Sequence, residues 1–222
     1  MEEKNLTERE SLELITQMIN KARNAYYDSG IASIMWGAVV AFCALEKFAE
    51  IQFNFQLPFD IYLLTLVAII PQIYISRKEK KQRIVKSYDD PYMKYLWLGF
   101  GICIALLIFI VNVMFNGWNN MFEEYKMATG HEPSFKLYEF IAPLFLILYG
   151  MPTFVTGTAC KFKPMLWGGL LCWACCIITV FTDVKIDMLL IAVSSIGAWL
   201  LPGLILEKEY KKAKRQFVEA NV

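Results

Sequence analysis

Three cysteines, Cys172, Cys175 and Cys176, come closest in this 222-residue sequence to a recognisable ligand set. Cys172 with Cys175 or Cys176 falls on one face of a helix, a spacing that suits a soft ion such as Cu(I). The other cysteines are scattered, and the single histidine, His131, lies far away in the sequence. With no histidine, carboxylate or further cysteine pair beside them, the three read as small apolar packing residues rather than a metal centre. Hydrolytic chemistry has no better footing. Ser194-Ser195-Ile196-Gly197 lacks the glycine two residues before the serine, Glu123-Glu124 has no partner histidine, and Asp89-Asp90-Pro91 reads as a turn. The expectation is a protein that is not an enzyme and carries neither metal nor cofactor.

Ligand binding has more candidates. Gln72, Tyr149, Thr153, Thr156, Ser194 and Ser195 are polar groups inside long apolar stretches, and Pro152 and Pro202 lie among them. Proline frees backbone carbonyls within a helix, and such breaks can line a small-molecule cavity. The plainer alternative is hydrogen bonding between helices, with Gly150, Gly168, Gly169 and Gly197 allowing close approach. A second candidate is ionic. Glu46, Lys47, Asp60 and Glu139 lie near the ends of apolar stretches on one side and could form an outward-facing ion-pair cluster, although long side chains there also reach the interface singly.

Those stretches define the elements that must position these residues. The sequence is 57% hydrophobic and 19% charged, against about 45–50% and 25% in ordinary soluble domains. Six windows fall within or close to the roughly 17–25 apolar residues that cross a bilayer: 30–48, 58–75, 95–115, 137–158, 165–181 and 188–206. Together they hold four of the chain's 43 charged side chains, the four of the ionic candidate. The fold class is therefore all-α, a polytopic bundle of six transmembrane helices. Eighteen Lys and Arg fall on the side of both termini and four on the other, which places the N- and C-termini in the cytoplasm. Residues 1–30 are acidic and amphipathic, unlike a cleaved signal peptide, so the first span is expected to stay in the mature protein. A net charge of +1 supplies no field for nucleic acid, which is excluded as a partner.

Upstream of the first span, Thr7 and Glu10 have capping-box spacing, and Leu12, Ile15, Ile19, Ala22 and Tyr26 recur every three or four residues. Residues 1–29 thus form a cytoplasmic amphipathic helix that lies on the membrane, packs under the bundle, or joins a second copy or a cytoplasmic protein through residues 7–27. Basic residues flank the membrane exits: Arg77, Lys78, Lys80, Lys81 and Arg83 after span two, Lys161 and Lys163 between spans four and five, and Lys208, Lys211 and Lys212 in the tail 207–222. They are positioned to meet anionic lipid headgroups. Three Trp-Gly openings are each followed by a proline: Trp36 and Gly37 before Pro71, Trp97 and Gly99 before Pro152, Trp167 and Gly168 before Pro202. The Trp-to-Pro interval is 35 residues in the first and third units and 55 in the second, where the outer loop 116–136 supplies most of the excess. Two readings stand, a threefold hairpin repeat and simple membrane-helix composition.

The segments ESLELITQMINKA (10–22), GMPTFVTGTACKFKPMLWGG (150–169) and IGAWLLPGLIL (196–206), with the Trp36-Gly37 opening, resemble a family of uncharacterised small six-span bacterial inner-membrane proteins over nearly the full length. The KFKP turn of Lys161 to Pro164 is the most specific element of the likeness. The first hairpin departs from the pattern, with alanines and valines where a second tryptophan is expected. The resemblance implies an architecture, a bacterial inner membrane and, through neighbouring small winged-helix regulators, a regulated envelope role; it implies no activity. The expected function is a scaffold or sensor acting through the cytoplasmic helix and basic loops. The alternative is a small transporter or channel with a site near the prolines of spans two, four and six.

Overall fold

The computed structural model describes residues 29–82, 90–131 and 137–219. The helix expected between residues 7 and 27, Arg83, and the side chains of Lys80 and Lys81 lie outside the described residues. The regular structure is helical throughout: α1 (Ile31–Phe53), α2 (Leu63–Gln82), α3 (Asp90–Thr129), a 3-10 turn (Leu137–Phe140) leading into α4 (Ile141–Ala159), α5 (Lys163–Thr179), α6 (Val184–Ser195), a π-helical stretch (Ile196–Leu200) and α7 (Leu201–Glu219). Four helical segments are long and apolar enough to cross a membrane: Ile31–Phe53, Tyr92–Thr129, Leu137–Ala159 and Val184–Lys212. The chain is a helical membrane protein. α5 is apolar but has 17 residues, and α2 runs from an apolar half into Arg77, Lys78 and Glu79.

Two helix boundaries differ from the apolar windows, each for a local reason. α2 starts five residues after Pro58 because Asp60 caps it: its Oδ1 accepts the Tyr62 N–H at 3.0 Å, and its carbonyl accepts the Leu63 N–H. Residues 116–129, read above as outer loop, continue α3. Phe115, Trp118 and Phe122 extend the half-buried face by three and four residues, and the helix ends only where Gly130, at φ 70°, donates its N–H back to Lys126. At about 1.5 Å per residue α3 is roughly 60 Å long, twice the hydrocarbon thickness.

α4 and α5 make the most intimate helix pair, joined by the KFKP turn. Lys161 adopts the left-handed conformation (φ 53°), the Phe162 N–H bonds to the Gly157 carbonyl at 2.8 Å, and the Lys161 N–H bonds to the Thr158 carbonyl at 3.2 Å. This is a Schellman termination with lysine where glycine is usual, and Pro164 then opens α5 at a position that needs no donor. Close approach is enforced by glycine. A Cβ on Gly157 would come within 2.3 Å of the Leu166 nitrogen, and one on Gly169 within 2.8 Å of Phe154. α1 packs along α6 and the π-helical stretch, where a Cβ on Gly37 would lie 2.5 Å from the Leu200 nitrogen. The buried core gathers Val40 and Ala44 of α1, Ala142 and Leu146 of α4, Cys172, Cys175 and Cys176 of α5, and Ile191, Ala192, Ala198 and Trp199 of the last helix, the continuous run of α6, the π-helical stretch and α7.

The Trp-Gly openings do not repeat in three dimensions. Gly37 and Gly168 both pack against the π-helical stretch, whereas Gly99 has open space around it. Trp36 donates its indole N–H to Gln72, Trp97 meets Phe100 edge-on, and Trp167 is exposed.

Candidate functional site

The π-helical stretch forms where the ladder of the last helix meets Pro202. Proline brings no N–H and its ring displaces the carbonyl four residues back, so the turn before it widens, and the Leu201 N–H reaches back to the Ile196 carbonyl. The Trp199 carbonyl is satisfied from another helix, by the Ser33 hydroxyl at 2.8 Å. This local break presents the Trp199 side chain, 4% exposed, to the centre of the bundle.

Trp199 is the point on which four helical segments converge. Its Nε1–H donates to Thr153 Oγ1 at 2.8 Å, and the Thr153 hydroxyl donates to the Tyr149 carbonyl at 2.7 Å. The indole lies 4.8 Å from the Tyr149 ring and 6.2 Å from Phe100 of α3, centroid to centroid. Of the residues expected to line a cavity, Tyr149 and Thr153 contact this indole, and Pro152, Thr153 and Pro202 are buried. Ser194 and Ser195 lie one turn away, both buried. Ser195 donates to the Ile191 and Ala192 carbonyls, whereas Ser194 Oγ has no hydrogen-bond partner beyond the Cys172 thiol that it faces. Thr156 Oγ1 is also unpartnered, one turn beyond Thr153. Gln72 belongs elsewhere: it accepts from Trp36 at 3.0 Å and donates to Ser76 at 3.1 Å, tying α1 to α2. The arrangement is a filled polar seam. Trp199 itself was legible as a tryptophan in the middle of an apolar stretch, away from the interface where the residue is usual.

The ionic candidate is partly assembled. Lys47 Nζ lies 2.6 Å from Glu50 and 4.0 Å from Asp60, while both Glu46 oxygens are shielded and unpartnered. Glu50 also accepts the Leu57 N–H at 2.9 Å, so it holds the 54–62 loop as well as the lysine. Glu139 lies apart from Lys47, on the 3-10 turn. Sequence reading missed both Glu50 and Asp187. Glu50 sits three residues past Lys47, just beyond the apolar window, and Asp187 one residue before the last window. Asp187 is 1% exposed; Thr182 Oγ1 donates to its Oδ1 at 2.6 Å and its Oδ2 has no partner.

Cys172, Cys175 and Cys176 are buried free thiols, and Cys176 Sγ lies 3.5 Å from the Pro143 carbonyl. Among the described residues no three His, Cys, Asp or Glu side chains converge as a metal site would require. Arg77, Lys78, Lys161, Lys163, Lys208, Lys211 and Lys212 are exposed, with Lys211 2.6 Å from Glu207. No protein-family model, curated protein or solved structure matches this chain.

Proposed function

We propose that the chain is a non-enzymatic, multi-pass protein of a bacterial inner membrane, a scaffold or sensor that crosses six times with both termini in the cytoplasm. The observation that carries the reading is the closure of the central polar seam. A conduit needs Thr153 and its neighbours to face water, whereas Thr153 is fully buried and its hydroxyl is engaged by Trp199 and Tyr149. Six crossings accord with α2 and α5 lying between the four long spans, and the orientation follows from the distribution of Lys and Arg. In this reading the basic residues at the helix exits meet anionic headgroups, and residues 7–27 present an amphipathic helix to a cytoplasmic protein.

The test is a thermal-shift screen of detergent-purified protein with amino acids, sugars, nucleosides, soft metal ions and anionic lipids. A ligand that binds only the folded state at 100 times its Kd stabilises it by about 2.7 kcal/mol. Stabilisation by anionic lipids, unchanged in Thr153→Val and Ser194→Ala, is the expected result. A reproducible shift from one polar solute, abolished by either substitution, overturns the scaffold reading in favour of a transporter.

A further inference from the structure

α3 is the one long span whose apolar window has no buried residue. It leans on the bundle along Phe100, Ile104, Leu107 and Val111, all half-buried, through ring contacts of Phe100 with Tyr149 and Trp199. Another face carries Gly101, Ala105, Asn112, Asn116 and Asn119, separated by four, seven, four and three residues, and every one of them is exposed. A Cβ on Gly101 would touch nothing within 4 Å.

Exposed apolar residues on a membrane helix are covered by lipid and call for no partner. The amides are different. Asn112 lies within the span, where lipid tails neither donate nor accept hydrogen bonds. Its Nδ2 turns back to the Ile108 carbonyl of its own helix at 2.8 Å, which occupies one of its donors and leaves its oxygen without a donor among the described residues. Asn116 and Asn119 have no hydrogen bond to the rest of the described chain. Between the amides lies a recess lined by Phe109, Asn112, Val113, Phe115, Asn116 and Asn119.

Two features select the occupant. An amide carries a donor and an acceptor, so its simplest complement is an identical amide. Asn112 and Asn119 are also one heptad apart, so they lie on the same seam of a left-handed helix pair, and a polar residue at such a position fixes register. Two copies of this chain insert in the same orientation, so their α3 helices run parallel and set Asn112 against Asn112 and Asn119 against Asn119. Gly101 and Ala105, four residues apart, let the backbones approach at the other end of the seam.

We infer that α3 is a homodimerisation helix, in which two copies pair along Gly101, Ala105, Asn112 and Asn119 about a two-fold axis normal to the membrane. This inference needs α3 to span the membrane; it does not depend on the scaffold reading, since a transporter could dimerise in the same way.

The experiment uses the full-length chain, fluorescently labelled and diluted in lipid vesicles, with stoichiometry counted by single-molecule photobleaching. The wild-type chain bleaches in two steps. Asn112→Leu combined with Asn119→Leu weakens association by at least roughly threefold to twentyfold, from about 0.6–1.7 kcal/mol for the hydrogen bond of Asn112 within the membrane. Asn112 bonds only within its own helix and both amides are exposed, so the variant monomer keeps the wild-type far-UV circular dichroism spectrum. Oxidative cross-linking supplies a second readout. Cys103 is exposed on the opposite side of α3, and Cys160, also exposed, is replaced by serine; this background stays uncross-linked, whereas adding Ala105→Cys to it yields a covalent dimer. A wild-type chain that bleaches in one step, a dimer indifferent to both leucines, or Ala105→Cys that fails to cross-link overturns the inference.

Discussion

Replacing Thr153 with valine exchanges one hydroxyl for a methyl of nearly the same size and strands the indole N–H of Trp199. In the native structure that N–H bonds to Thr153 Oγ1 at 2.8 Å, with Thr153 fully buried and Trp199 4% exposed, so no water stands ready to replace the lost acceptor. The Tyr149 carbonyl also loses the threonine hydroxyl but keeps its place in the α4 ladder, so the main penalty falls on Trp199. Leaving a buried donor unsatisfied costs about 1–3 kcal/mol, and interhelical hydrogen bonds in membrane proteins fall at about 0.6–1.7 kcal/mol. The expected loss for Thr153→Val is therefore about 1–2 kcal/mol, while Thr153→Ser, which keeps the acceptor, loses less. Trp199→Phe removes the donor together with part of a packed ring, so its own loss is larger and mixes two causes. The double-mutant cycle separates them: Thr153→Val in the Trp199→Phe background should cost less than in wild type by about 1 kcal/mol. Equilibrium unfolding in mixed micelles of rising SDS fraction, followed by far-UV circular dichroism, supplies the four free energies. A coupling below about 0.3 kcal/mol would refute the assignment of this hydrogen bond as a link between α4 and the last helix.

Glycine substitutions discriminate packing from composition. Gly37→Ala places a methyl 2.5 Å from the Leu200 nitrogen and 2.9 Å from its Cα, so the thermal midpoint falls and stability drops by about 1–3 kcal/mol. Gly99→Ala, which meets nothing within 4 Å, leaves the midpoint unchanged or raises stability by up to about 1 kcal/mol through helix propensity. Equal losses at the two positions would show that α1 does not contact the π-helical stretch as described. Lys161→Gly relieves a left-handed residue in the Schellman turn and stabilises by about 0.5–1 kcal/mol in the same unfolding assay, whereas Lys161→Val, β-branched at φ 53°, destabilises.

The membrane class and the approximate positions of the helices were legible in the amino-acid sequence. They depend on one-body properties: whether a residue prefers hydrocarbon, and whether a run is long enough to cross it. The turn between α4 and α5 was legible from the six residues that separate two apolar windows, although the left-handed Lys161 that closes α4 was not. Asp60 was seen as a charge but acts as the cap that delays α2. Of the candidate cavity residues, Pro152, Thr153, Ser194, Ser195 and Pro202 are buried, yet what Thr153 does there depends on Trp199, 46 residues away, which no local pattern connects to it.

Glycine makes the division plainest. Gly37 and Gly99 sit in similar settings beside tryptophan, and only the fold separates a glycine pressed against a neighbouring backbone from one facing open space. Hydrocarbon-spanning helices are apolar around most of their circumference, so hydropathy places each helix in the bilayer without saying which face turns inward. That rotation, together with the crossing partners of each helix, decides why Glu50, and not Glu139, joins Lys47. It also decides why Trp199 fills the centre, and why the amides of α3 are left facing outward. The amino-acid sequence alone determined that this is a helical membrane protein and roughly where its helices run; the tertiary structure decided which side chains meet, because partner choice is a property of pairs of surfaces brought together only by packing.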